Sequence, residues 1–123
     1  MSSTSAVQVH RTQSTYLPHR STVSMPILNT MLNHPEDFDT WFFRLDHELR
    51  MMSLDDLVRS EIPRPLIPDD AGANWCYLSI AVKLWMEQSV GEKLLHEINA
   101  RFRDIILADN LIDAIRAVVV DNE

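Results

Sequence analysis

From residue 35 onward, apolar positions recur at helical spacing. In PEDFDTWFFRLDHELRMMSLDDLV, residues 35–58, Phe38, Trp41, Phe42, Leu45, Leu49 and Met52 share one stripe. Arg44, Asp46, His47, Glu48 and Arg50 fall mostly off it. The spacing predicts an amphipathic helix with its aromatics turned inward. Pro35 suits the first helical position, and Glu36 and Asp37 suit the positive end of the dipole. Leu54, Leu57 and Val58 predict one or two further turns, with Ser53 as their cap. IPRPLIP, residues 62–68, then holds three prolines and predicts an extended connector.

A second periodic segment covers about 71–88, with Asp69 or Asp70 as its cap and Trp75, Leu78, Val82, Trp85 and Met86 as its stripe. Ser89 and Glu92 have capping-box spacing, which predicts a new helix near Val90 carrying Leu94, Leu95, Ile98 and Phe102. ADN, residues 108–110, reads as a break before Leu111, Ile112, Ile115, Val118 and Val119. Periodicity does not separate one helix from two over 90–119. The fold class expected is all-α, a small orthogonal bundle of about four to five helices. Its core is expected to hold Phe38, Trp41, Leu45, Leu49, Trp75, Leu78, Val82, Trp85, Leu94 and Ile98.

The first 26 residues change pattern. They are Ser/Thr-rich and almost without apolar grouping, and they read as a disordered tail before a helical domain over 27–123. The tail has no apolar stretch of the length a secretory signal needs, and no segment approaches the ~18 apolar residues of a membrane span. A chain of 123 residues suits one domain. Two glycines argue against a phosphate-cradling loop, and a single cysteine, Cys76, excludes a disulfide framework within the chain.

Charge is unevenly placed. Residues 1–34 contain Arg11 and Arg20 and no acid, whereas residues 35–123 contain nine basic and 18 acidic residues, a net −9. An acidic folded part repels phosphate backbones, so no specific nucleic-acid binding is expected of it. Weak RNA contact is left to the tail, through Arg11, Arg20 and the nearby His10, His19 and His34.

Catalytic and metal-binding patterns are not found. No two of the histidines 10, 19, 34, 47 and 96 are spaced i, i+4, so the paired imidazoles of a helical zinc site are missing. Cys76, on the edge of a stripe, reads as a small core thiol. Asp55–Asp56 and Asp69–Asp70 read as helix caps and dipole partners. No catalytic residue, cofactor or metal is therefore expected. Phe38, Trp41, Phe42 and Phe43 would suit an aromatic cage for a cation, but helical spacing favours packing, and only Phe43 leaves the stripe. Phe43, Met51, Leu66, Ile67 and Val120 are apolar positions in excess of one small core, and they form the expected interface.

The order of these features resembles the N-terminal, capsid-like region of the Gag polyprotein of copia-type retrotransposons with long terminal repeats. The likeness covers about residues 27–98. It lies in ILNTMLNHPEDFDTWFFRLDHELRMMSLDDLVRSEIPRP and then NWCYLSIAVKLWMEQSVGEKLLHEI. Phe38, Trp41, Leu45, Leu49, Leu54, Leu57, Val58, Pro63, Trp75, Ala81, Leu94, Leu95 and Ile98 fall where that pattern puts them. The chain departs from it at LADNLIDAIRAVV, and it has no zinc knuckle. The resemblance implies a structural, non-enzymatic protein of such an element, or of a gene derived from one, acting by self-association in the cytoplasm as a homo-oligomer. A monomeric helical adaptor for another protein is the alternative.

Overall fold

The computed structural model describes residues 11–65 and 70–122, the side chains of Asp70 and Ala71 excepted. Among these residues four α-helices and no named strand are found: α1 (Phe38–Met51), α2 (Asp70–Glu87), α3 (Glu92–Arg101) and α4 (Ala108–Asp121). Short 3₁₀ turns lie at Arg20–Thr22, Pro35–Asp37 and Asp55–Val58. The chain is all-α, as its periodicity predicts. Leu66, Ile67 and the proposed cap at Asp69 or Asp70 lie outside the described residues and side chains.

Helix α1 buries Trp41, Leu45 and Leu49 completely, one residue every four, against the turn at 55–58 and the body of the bundle. Phe38, expected in the core, is half-buried at its edge. It stacks on Phe42 at 5.7 Å between ring centroids. The end of α1 corrects the role given to Ser53. Ser53 has φ 59°, in the left-handed region; its N–H donates to Arg50 O at 3.1 Å, and Leu54 N–H donates to Leu49 O at 2.8 Å. This is a Schellman ending, sealed by the buried pair Leu49 and Leu54, so Ser53 closes α1 and does not cap the next turn.

Helix α2 packs on α4, which also touches α3 and the turns at 35–37 and 55–58. The core is continuous: Leu78, Val82, Trp85 and Met86 of α2 meet Leu111, Ile112, Ile115 and Val118 of α4, with Leu94 and Ile98 of α3 completing it. Trp75, expected inside, is half-buried and packs on the core from its rim. Cys76 is likewise half-buried rather than a core thiol.

Two helix boundaries differ from those the residues suggest. Ser89 does not cap α3; the helix starts after Gly91 with no side-chain cap. The Ser89 hydroxyl is buried, donating to Met86 O at 3.0 Å and accepting from the Trp41 indole N–H at 2.9 Å. The helical region after residue 90 is two helices, yet the break lies at 102–107, where Asp104 has φ 60°. Residues 108–110 instead begin α4, and Ser79 of α2 supplies the missing cap by accepting from Ala108 N–H at 3.0 Å.

The ordered part begins earlier than position 27. Residues 11–33 form a strap across the bundle, almost without regular structure but tied down at intervals. Gln13 is fully buried. Its backbone N–H donates to Pro63 O at 2.9 Å, its amide nitrogen donates to Asp109 at 3.1 Å and Arg59 O at 3.2 Å, and its amide oxygen accepts from the Trp75 indole at 2.9 Å. Asn74 donates to Pro18 O and accepts from Arg20 N–H, and the Trp85 indole donates to Pro26 O at 2.6 Å. The strap ends in a single parallel bridge between Leu32 and Val90. There Gly91 makes a close approach: a Cβ would lie 2.5 Å from the Asn33 side-chain oxygen and 3.2 Å from its Cα, so Asn33 would have to shift.

Candidate interaction surfaces

The polar side chains that are buried are already engaged. Asp109, in the first turn of α4, accepts both from Gln13 and from a forked Arg64 guanidinium. Its hydrogen bond holds the Arg64 guanidinium above its ordinary pKa. Asp56 accepts through both oxygens from Arg11, which raises the Arg11 pKa in the same way. Asp46 accepts from Arg50 and Arg59. Each of these acids is tied to structure. No buried side-chain nitrogen or oxygen among the described residues is left without a partner.

A cleft of about 450 Å³ opens where the strap's end meets α3 and α4, lined by His34, Glu92, Lys93, Glu97 and Asn122 among others. Its charges are mixed, and Asn122 donates to Glu97 across it. His19, His34, His47 and His96 are exposed, and no group of three His, Cys, Asp or Glu side chains among the described residues could hold a metal ion. The aromatics do not form a cage: Trp41 is fully buried, and the cation near them, Arg116, stacks on Phe42 at 4.9 Å from within the chain.

What remains is exposed apolar surface, which includes Tyr16, Ile27, Met31 and Ile106 and two helix faces. The first is the outer side of α1. Phe43 is 71 % exposed and Met51 74 % exposed. They share a stripe with Thr40, Arg44, His47 and Arg50, all exposed. Val120, near the end of α4, is also exposed, whereas Val118 and Val119 are buried.

The second face is on α2. Opposite the buried side lie Ala73, Tyr77, Ile80, Ala81 and Leu84, with Tyr77 57 % and Leu84 51 % exposed. Sequence reasoning missed these residues because it assigned α2 a single apolar stripe. The signal that marks them is the missing wet face: no charged residue occurs between Asp70 and Lys83. A helix apolar on both sides is ordinarily covered on both.

Comparison with models of known protein families, with curated proteins and with solved structures finds no match to this chain.

Proposed function

We propose that this chain is a non-catalytic, capsid-like assembly module of the copia Gag type, acting by self-association in the cytoplasm. The observation that carries the reading is the outer stripe of α1, where Phe43 and Met51 stand in solvent on a helix whose other side is fully packed. Exposed apolar side chains of this size are candidates for an interaction surface when a partner adds to their patch. The all-helical fold agrees with the class of protein that the sequence resembles. Shell contacts can each be small because many act together. No helix among the described residues is long and apolar enough to cross a membrane.

The net charge of −9 on residues 35–123 opposes association at low ionic strength, and salt screens that repulsion. The oligomeric fraction is therefore expected to rise with both protein and salt concentration. Sedimentation velocity over a matrix of the two measures it. A strict monomer throughout would favour the adaptor reading, with the same stripe meeting a different protein.

A further inference from the structure

We infer that the outer face of α1 is complementary to itself: a second copy of this chain lays its own α1 on it antiparallel, with the twofold at Phe43. The inference rests on the self-association reading and gives its surface a geometry.

Charge is ordered along this face. Positions 36, 40, 43, 47 and 50 are spaced alternately by four and three, the spacing of one helical seam, and all are exposed. Asp39, also exposed, lies beside them. The acids, Glu36 and Asp39, come before Phe43, and the bases, His47 and Arg50, come after it. Among the described residues the side chains of Glu36, Asp39 and His47 have no ion pair or hydrogen bond. Arg50 donates from its Nε to Asp46 at 2.7 Å, and its terminal N–H groups remain for another acceptor. A helix dipole favours acids in a first turn and bases in a last one. It does not set both in line with an exposed phenylalanine, and that alignment is what lets the face fit its own copy.

This order selects the occupant. The folded part is acidic, so two copies repel on most approaches. A closed pair uses the same patch twice and must be complementary to itself. Glu36 and Arg50 lie equally far from Phe43 on either side, and so do Asp39 and His47. With the helices antiparallel about Phe43, each acid is therefore level with a base of the other copy, twice over by symmetry. The two Phe43 rings meet at the twofold, where they leave water together. A parallel pair would set acid on acid and base on base, and an antiparallel pair centred on His47 would set Arg44 level with Arg50. Arg44 lies about 100° round the helix from Phe43, so in the proposed pair it stays at the rim in water. Exposed ion pairs add little strength, and here they fix direction and register while the rings supply the burial. Salt that screens the net repulsion between copies therefore leaves most of the contact in place.

The test is sedimentation velocity of the full chain at moderate salt, with each end of the face reversed in charge. One variant carries Glu36→Lys with Asp39→Lys, the other His47→Glu with Arg50→Glu. All four residues are exposed, and a helical circular dichroism spectrum certifies each chain. Alone, each variant sets like charges together across the twofold. Mixed one to one, each reversed end meets its opposite, and the mixture is expected to associate about tenfold more strongly than either component. A general effect of net charge would place the mixture between the two. Independently, Phe43→Cys in a Cys76→Ser background is expected to form a disulfide dimer on mild oxidation, because position 43 lies on the twofold. Met51→Cys in the same background is equally exposed, but in this pairing it lies about 24 Å along the helix from its mate and is expected not to cross-link. If the mixture lies between its components, or if Phe43→Cys cross-links no faster than Met51→Cys, the pairing is overturned while self-association stands. If the parent is monomeric at every concentration, the self-association reading fails, and this pairing with it.

Discussion

Helix α1 and the strap at 11–33 reach the same interior by different means. Helix α1 enters through area: Trp41, Leu45 and Leu49 are fully buried and contribute mainly by leaving water. The strap enters through direction. It adds some area through the fully buried Leu32, but its other fully buried residue is Gln13, an amide held by partners from three separate places, Arg59, Trp75 and Asp109. Apolar burial tolerates small shifts, since it is non-directional. A buried amide tolerates few, since every unmade bond costs its full desolvation. The three tryptophans join the two modes. Each buries a ring in or against the core and gives its indole N–H to a specific oxygen, on Ser89, Gln13 and Pro26 respectively.

The largest effect should come from the area side. Trp41→Ala removes a fully buried ring and leaves the Ser89 hydroxyl without its donor, and a loss of about 3–5 kcal/mol is expected in urea unfolding. A variant that melts with the parent would mean that α1 is not anchored by its stripe. Next is the seam where the strap joins the bundle. Gly91→Ala forces a methyl group against Asn33, and about 1–3 kcal/mol should be lost. Asn33 is exposed, so an unchanged midpoint would show that it swings aside and that the bridge is loose.

Gln13→Ala tests the directional side by itself. The Trp75 indole and the Arg59 carbonyl lose a partner, and about 1–2 kcal/mol is expected. Hydrogen exchange should speed up at Gln13 and near Leu32 more than in α4; uniform acceleration would mean that strap and helices open together. The smallest expected change is with pH. Asp109 raises the Arg64 pKa, so the stabilisation from that pair is complete below the unfolded arginine value and is lost only as pH climbs through the still higher folded one. The difference in urea midpoint between parent and Arg64→Gln should therefore hold steady from pH 7 to pH 9. A difference that shrinks over that range would assign the stabilisation to another group.

The same division explains what could be read from the residues alone. Area leaves a periodic trace, so the stripes of α1, α2 and α4 were visible, and with them most of the core. Direction leaves none. Gln13 in a Ser/Thr-rich run looks like any solvated amide, and only the fold brings Asp109 and Trp75 to it. Ser89 and Asp109 misled for the same reason. Each has the chemistry of a cap or a breaker, yet one is a buried acceptor for Trp41 and the other the anchor of Arg64. Of the exposed apolar residues, Phe43 and Met51 were legible because they fall off a clear stripe. Tyr77 and Leu84 were not, because one stripe was read on α2 and the lack of charge between Asp70 and Lys83 was passed over.

The strap's deepest bond also has a consequence in time. Gln13 and Asp109 are 96 residues apart. At synthesis rates of about 5–20 residues per second, Gln13 is made several seconds before its partner exists. Its bonds to Pro63, Arg59 and Trp75 join groups already made once α2 is produced, whereas the bond to Asp109 waits for the last helix. Closing so long a loop is slow relative to local helix formation. Pulse-labelled exchange during refolding should therefore find the Gln13 side-chain amide among the last to be protected, after the backbone amides of α1. Until that moment the last helix lacks its tie to the strap, and a cut between residues 26 and 34 at that stage would sever the strap's earlier half from the chain that carries Asp109.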